Sequence, residues 1–154
     1  MARKLSIMDS GWLMMETRET PMHVGGLALF AIPEGAPEDY VESIYRYLVD
    51  VDSICRPFNQ KIQSHLPLYL DATWVEDKNF DIDYHVRHSA LPRPGRVREL
   101  LALVSRLHAQ RLDPSRPLWE SYLIEGLEGN RFALYTKMHH SMVDGVAGMH
   151  LMQS

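Results

Sequence analysis

The sequence is poor in features that mark several classes of protein. Its single cysteine, Cys55, excludes an internal disulfide bond and fits a reducing compartment. The formal net charge of −4 argues against a general nucleic-acid surface, so no nucleic-acid partner is expected. No run approaches the ~18 consecutive apolar residues of a membrane span, and the first residues lack the apolar core of a signal peptide. We therefore expect a cytoplasmic protein whose membrane contacts, if any, are peripheral.

The composition is that of an ordinary globular domain. Its 154 residues are enough for one domain with a hydrophobic core. Hydrophobic residues make up 45% of the chain and charged residues 23%, which is ordinary for a globular protein. Apolar periodicity and turn residues predict helices and strands that alternate along the chain. The predicted helices span residues 12–16 (with Asp9 or Ser10 as N-cap), 38–51 and 97–112, and the predicted strands span residues 22–30, 74–76, 84–88, 118–126 and 131–139. The last two strands are placed to form a hairpin, and the pattern indicates an α/β layered domain.

The most specific motif lies near the end of the chain, where a predicted strand runs into a turn and a helix. Its residues are His139-His140, three further residues, and then Asp144-Gly145. Neighbouring side chains on a strand point to opposite faces, so the two histidines cannot have the same role. Histidine suits proton transfer near neutral pH, since its unperturbed pKa is about 6.5. Glycine permits a sharp turn or a close approach of another segment.

Other interpretations of the motif remain open from the residues alone. Histidine and aspartate can bind zinc or iron, but two diverging strand histidines would not chelate one ion, so no metal site is predicted. Two histidines with ordinary hydrogen bonds in a core, followed by a plain Asp-Gly turn, are the other alternative. The chain has no Gly-x-Ser-x-Gly elbow, so no serine nucleophile of that type is indicated.

The motif resembles the signature of the CoA-dependent acyltransferase superfamily, whose members share a chloramphenicol-acetyltransferase-like fold of a layered sheet with flanking helices. The resemblance implies that the second histidine, His140, is the general base and that His139 supports it. It further implies that Asp144 is a buried organiser that pairs with an arginine, with Gly145 completing the motif. No cofactor is implied, because acyl-CoA is itself a substrate.

Three further stretches narrow the resemblance. Residues 5–9, residues 21–27 and the tetrapeptide Pro117-Leu118-Trp119-Glu120 are similar to the bacterial wax ester synthase/acyl-CoA:diacylglycerol acyltransferase family. The similarity implies transfer of a fatty acyl group from acyl-CoA to a long-chain alcohol or to diacylglycerol. It also implies contact with a peripheral membrane site, at the inner membrane or at a lipid-droplet surface.

Members of this family are longer and have two similarly folded halves. Residues 1–154 match the first half, so we expect an N-terminal acyltransferase subdomain whose partner is the C-terminal half of the same protein. Residues 146–154 read as a helix with no stop signal, which predicts a chain that ends in mid-helix. Two alternatives stay open: a condensation-domain-like acyltransferase that uses carrier-bound thioesters, and a non-catalytic half that binds lipid or a partner.

Several single residues carry expectations of their own. Trp119 is expected in the core and Glu120 beside a buried arginine. His23 is expected in the core or at an interface, and Met14–Met15 in ordinary core packing. The pair Gly25–Gly26 indicates either a β-bulge or close packing within its strand.

Overall fold

The computed structural model describes residues 2–143, so Asp144, Gly145 and the predicted terminal helix lie outside the described residues. Residues 140–143 are helical. Within residues 2–139, seven strands and four helices, with one 3-10 turn, follow the alternation predicted from the sequence. They are β1 (Arg3–Lys4), α1 (Ile7–Met15), β2 (His23–Ala31), α2 (Tyr40–Val49), β3 (Gln60–Gln63), the 3-10 turn (Pro67–Tyr69), β4 (Thr73–Glu76), α3 (Ile82–His85), β5 (Val86–Ala90), α4 (Val97–Ala109), β6 (Trp119–Leu127) and β7 (Arg131–His139).

The strands form two sheets. The larger has the order β2-β7-β6-β5, in which β5 runs parallel to β6 and the other neighbours are antiparallel. The smaller sheet has the order β1-β4-β3. β6 and β7 form the predicted hairpin, closed by Gly129 and Asn130 at positive φ of 76° and 54°. This turn geometry suits glycine and asparagine, which tolerate the left-handed region.

Each face of the larger sheet is covered by one helix. Tyr122 and Tyr135 lie on the face that packs against α4 through the fully buried Leu100. Leu123 and Phe132 lie on the opposite face, against Val41 of α2. Because side chains alternate along a strand, this register divides every strand of the sheet into an α4 face and an α2 face. The predicted α/β layered architecture is confirmed.

The bounds of all three predicted helices differ from the prediction, and α2 spans Tyr40–Val49 instead of residues 38–51. α1 begins at Ile7 because Ser6 is its N-cap: the Ser6 hydroxyl accepts a hydrogen bond of 3.0 Å from the Asp9 backbone N–H. The assignment of Asp9 or Ser10 as the cap was therefore wrong. α4 ends at Ala109, three residues early, and the buried Lys137 ammonium binds the carbonyl oxygens of Leu107 and Gln110 at 2.8 and 2.7 Å.

The predicted strand at residues 84–88 was wrong in its first half. Tyr84 and His85 belong to the one-turn helix α3, whose N-cap Asp81 accepts a hydrogen bond of 3.1 Å from the Asp83 backbone N–H. His85 is buried and donates from Nδ1 to the carbonyl oxygen of Trp119 at 2.7 Å. This cap and this burial, rather than local alternation, decide the conformation.

The glycine pair in β2 serves close packing. The β2–β7 ladder is continuous from His23↔His139 to Ala31↔Arg131, so no bulge is present there. A Cβ on Gly25 would lie 2.8 Å from the Tyr135 hydroxyl, whereas one on Gly26 would meet nothing within 4 Å. The expectation for Met14 and Met15 was wrong: their exposures of 47% and 55% place them outside the core, while the neighbouring Leu13 points inward.

Candidate active site

The two histidines at the end of β7 face in opposite directions. His139 is fully buried on the α4 face, opposite His23 of β2. The next residue continues the ladder by one bond, from the His140 backbone N–H to the Met22 carbonyl oxygen at 2.9 Å. His140 is half-buried and is the first residue of the helical segment after β7, and because this bond extends the β2–β7 pairing to its backbone, alternation directs its side chain to the α2 face. Of the two histidines, His139 is buried and His140 is partly accessible.

The surroundings of His139 fix its tautomer. The Ser141 backbone N–H donates to Nδ1 at 3.1 Å, and the Ser141 hydroxyl lies 2.8 Å from the same nitrogen. Nδ1 therefore carries the lone pair, and the proton of the neutral ring is on Nε2. Nε2 points toward Glu16, with 3.4 Å to Oε2. Burial lowers the pKa of His139, and the nearby Glu16 carboxylate only partly opposes this effect, so the ring is neutral at neutral pH.

Glu16 connects several segments around His139. Its buried carboxylate accepts a hydrogen bond of 2.9 Å from the Met22 backbone N–H and one of 3.1 Å from Arg111. Met22 in turn is the residue whose carbonyl oxygen holds His140. The carboxylate thus links the end of α1, the start of β2 and the segment after α4 beside the histidine pair.

His140 is held by an aromatic stack. The indole of Trp12 lies parallel to its imidazole, with ring centroids 4.5 Å apart and an interplanar angle of 17°. Trp12 belongs to α1, and Glu16 is the C-cap of the same helix. One helix therefore positions both histidines. This arrangement could not be predicted from the sequence, since both residues lie more than 100 positions before the motif.

The tetrapeptide at residues 117–120 contacts the end of β7 that carries the histidine pair. Leu118 and Trp119 are buried, and the Leu118 carbonyl oxygen accepts a hydrogen bond of 3.0 Å from the His139 backbone N–H. The Trp119 indole donates to the Phe58 carbonyl oxygen at 2.8 Å, which agrees with its expected core position. Pro117 precedes the strand, which starts at Trp119.

The Glu120 side chain lies on the α4 face of the sheet, opposite to the side chain of Trp119, in a buried polar cluster. Its carboxylate is 3.7 Å from the Arg87 guanidinium and 3.5 Å from the Lys137 ammonium, and it accepts a hydrogen bond of 2.9 Å from the Tyr122 hydroxyl. The expected arginine contact exists, but the fully buried partner is Lys137. Burial lowers the pKa of Lys137, and Glu120 opposes this effect. The cluster ties α4 to the sheet and does not reach His140.

An apolar cavity of about 390 Å³ lies against the α2 face of the sheet. Its sheet wall includes Trp119, Ser121, Leu134 and Thr136, and the segment after α2 closes it from the other side. The hydroxyl groups of Ser121 and Thr136 bind each other at 2.8 Å. The cavity is therefore on the same face of the sheet as His140.

Within residues 2–143, no group of three or more histidine, cysteine, aspartate or glutamate side chains is arranged to hold a metal ion. None of the helices in that range combines the length and the apolar character needed to cross a bilayer.

Comparison with known proteins places the histidine motif in a family context. Residues 5–154 match the wax ester synthase/diacylglycerol acyltransferase catalytic domain. The chain belongs to this family. The O-acyltransferase WSD of Acinetobacter baylyi is 48% identical over 152 residues, which cover 98% of this chain and 32% of the relative. The probable diacylglycerol O-acyltransferase tgs2 of Mycobacterium tuberculosis is 50% identical over 145 residues, which cover 94% of this chain and 32% of the relative.

Solved structures agree with this assignment. The wax ester synthase/diacylglycerol acyltransferase of Marinobacter aquaeolei VT8 superimposes with a TM-score of 0.87 at 48% identity, covering 98% of this chain and 36% of that one. The starter condensation domain of rhizomide synthetase RzmA superimposes with a TM-score of 0.65 at 15% identity, which shows a shared fold alone. The predicted fold is confirmed. The chain spans about a third of the length of these wax ester synthase/diacylglycerol acyltransferase relatives.

Proposed function

We propose that this chain forms part of an O-acyltransferase that moves a fatty acyl group from acyl-CoA to a long-chain alcohol or to diacylglycerol, with His140 as general base. The observation that carries the proposal is the division of roles within the pair. His139 is buried, with Nδ1 hydrogen-bonded to Ser141 and Nε2 3.4 Å from the Glu16 carboxylate, whereas His140 is partly accessible and stacked on Trp12. Family membership supports the reaction class.

The reaction consists of two proton transfers through His140 and one displacement at the thioester carbonyl. The His140 imidazole takes the proton of the acceptor hydroxyl, and the oxygen attacks the thioester carbonyl. The tetrahedral oxyanion collapses, the C–S bond breaks, and the CoA thiolate receives the proton from the imidazolium. A positioned base contributes about 10²–10⁴-fold in rate. The remaining acceleration comes from orientation of the substrates and stabilisation of the oxyanion.

The proposal includes two further partners. The first is a C-terminal part such as the relatives possess, which would complete the substrate site beside His140. The second is a lipid surface, such as a droplet or the membrane, that supplies and receives apolar substrates. Exposed leucines at positions 66, 68 and 70, together with Met14 and Met15, support an apolar contact of this kind.

CoA release from palmitoyl-CoA in the presence of hexadecanol tests the proposal. The assay uses this chain and, beside it, the chain joined to the C-terminal remainder of the Marinobacter aquaeolei relative, each compared with its His140→Ala variant. We expect alcohol-dependent CoA release that falls by about 10²-fold or more in the variant. Equal turnover with and without His140 would contradict the base assignment.

A second arm separates the related condensation chemistry. A palmitoyl group is offered on the phosphopantetheine arm of a carrier protein in place of CoA. Turnover from the carrier but not from palmitoyl-CoA would contradict acyl-CoA as the donor. A folded, monomeric fusion that turns over neither donor would contradict the enzymatic proposal as a whole.

A further inference from the structure

We infer that Arg111 is a positioning residue for the proposed base His140. Its guanidinium balances the charge of the Glu16 carboxylate, so that His139 keeps a neutral ring. The inference rests on the proposed function for the role of His140, and on contacts for the role of Arg111. These contacts link Arg111 to Glu16 and Glu16 to His139. Ser141, the residue after His140, in turn contacts His139.

The Glu16 carboxylate needs a positive charge beside it, because its side chain is only 4% exposed and an isolated buried charge is costly. Arg111 Nη2 lies 3.1 Å from Glu16 Oε1, and 40% of the Arg111 side chain stays in water. Within residues 2–143, no other arginine or lysine lies within 4.0 Å of this carboxylate. The other basic group in reach is His139, with Nε2 3.4 Å from Glu16 Oε2. Arg111 and His139 are therefore alternative counter-charges for one carboxylate.

The other ionisable groups around the His139 ring do not replace Arg111. His23 lies opposite in the ladder, its Nε2 donates to a carbonyl oxygen of α4 at 2.6 Å, and burial lowers its pKa. Lys137, two residues earlier on the same face, has its own carboxylate, that of Glu120, at 3.5 Å. A charge on His140, on the opposite face, would lower the pKa of His139 further. The balance at the Glu16 carboxylate therefore depends on the guanidinium.

A charge on His139 would break a hydrogen bond beside the base. The neutral ring accepts at Nδ1 from the Ser141 backbone N–H at 3.1 Å. Both nitrogens of an imidazolium are donors, so a charged ring cannot accept this bond. Ser141 is buried, and its N–H would then be left without a partner, which is costly. The backbone that carries His140 would therefore shift, and the imidazole of His140 would shift with it.

Nitrogen-15 NMR of the chain with labelled histidines reports the charge and tautomer of each ring and needs no turnover. The signals of His139 are identified by their absence from the spectrum of His139→Asn. In Arg111→Met we expect a larger charged fraction of His139 at pH 6 than in the parent, since the Glu16 carboxylate has lost its other cation. Arg111→Lys keeps the charge and should behave as the parent does. Arg106→Met, at an exposed arginine of α4, controls for overall charge and should change nothing.

A second substitution separates charge from packing. Glu16→Gln keeps an acceptor for the Met22 backbone N–H but removes the negative charge. Added to Arg111→Met, it should return His139 to the neutral form, whereas damage to packing would not be reversed. A neutral His139 in Arg111→Met would overturn the inference. An equal change in Arg106→Met, or no return in the double variant, would overturn it as well.

The turn and the reaction give two further readouts. Hydrogen exchange of the Ser141 amide should be faster in Arg111→Met than in the parent at pH 6, and the two should converge at pH 8, where His139 is neutral in both. In the fusion used for CoA release, kcat of Arg111→Met relative to the parent should follow the same pH dependence. A charged His139 with unchanged exchange and unchanged kcat would overturn the positioning role. A fusion without turnover that shows both NMR changes would contradict the proposed reaction and leave the effect of Arg111 on the turn standing.

Discussion

At the scale of single residues, the two adjacent histidines differ because their neighbours differ. His139 is enclosed by Ser141, Glu16 and the Leu118 carbonyl oxygen, whereas His140 is half-buried, with one aromatic face covered by Trp12. Strand alternation predicted that the two side chains point apart. The residues that enforce it could not be predicted, because Trp12 and Glu16 come from the other end of the chain.

The stack on Trp12 should influence turnover through His140. Trp12→Ala removes an aromatic contact worth about 0.5–1.5 kcal/mol, so we expect kcat to fall by about two- to tenfold. Trp12→Phe keeps an aromatic ring and should retain most of the activity. The measurement is CoA release, with circular dichroism to confirm the fold. An unchanged kcat in the folded Trp12→Ala variant would show that the stack does not position the base.

Buried histidines should make the stability depend on pH. Burial lowers the folded-state pKa of His23, His85 and His139 below the unfolded value of about 6.5. At a pH between the folded-state and unfolded-state pKa values, the unfolded chain binds more protons than the folded chain. The contribution of these histidines to the free energy of unfolding is therefore fully present above about pH 6.5 and decreases as the pH falls below it. Each such histidine contributes at most about 1.4 kcal/mol per pH unit.

Urea unfolding at pH 7.5 and 5.5 measures this dependence, with His85→Asn as the diagnostic variant. An asparagine amide can replace the Nδ1–H donor to the Trp119 carbonyl oxygen without titrating. We expect a smaller loss of stability at pH 5.5 than in the parent, while His65→Gln, an exposed site, should leave the loss unchanged. The same loss in His85→Asn and the parent would exclude His85 as a contributor.

At the scale of elements, most helices and strands could be predicted from periodicity. The hairpin of β6 and β7 and the helices α2 and α4 have apolar residues at the required spacings, and local signals mark their turns. The failures were at α1 and α3, where Ser6 and Asp81 cap short helices that carry no long apolar pattern. Short elements depend on caps and burial more than on periodicity.

The packing of β2 against β7 gives a matched pair of glycine substitutions. Gly25→Ala would place a Cβ 2.8 Å from the Tyr135 hydroxyl and 3.0 Å from His108 Nδ1, so we expect a loss of about 1–3 kcal/mol of stability. Gly26→Ala would meet nothing within 4 Å and should be neutral or slightly stabilising. Chemical denaturation of both variants measures the difference. Equal stabilities would show that the Tyr135 and His108 side chains yield without cost.

At the scale of the whole molecule, apolar side chains cover part of the outer surface. Leu66, Leu68 and Leu70 are 54%, 61% and 66% exposed, and their turn contacts α1, which itself exposes Met14 and Met15. The sequence did not predict which residues form this surface, because the 3-10 turn has no clear pattern in it.

This surface should make the chain self-associate in isolation. We expect sedimentation velocity to show species larger than the monomer that grow with concentration, since exposed apolar patches favour association. Serine at positions 66, 68 and 70 together should shift the distribution toward the monomer. Leu101→Ser, at a 50% exposed leucine on α4, serves as the control and should leave association unchanged. A parent chain that stays monomeric at all concentrations would contradict the prediction.

The contacts from α1 to the histidine pair also bear on the order of folding. Trp12 meets His140 and Glu16 meets His139 across nearly the whole described chain, so each contact closes a very long loop. Contacts of such high sequence separation form after local ones, because their entropy must be offset by structure already present. On the ribosome, the first helix must wait for the last strand to emerge. The geometry around the base is therefore completed only after β7 has been synthesised, at the same stage as the pairing of β2 with β7 in the larger sheet.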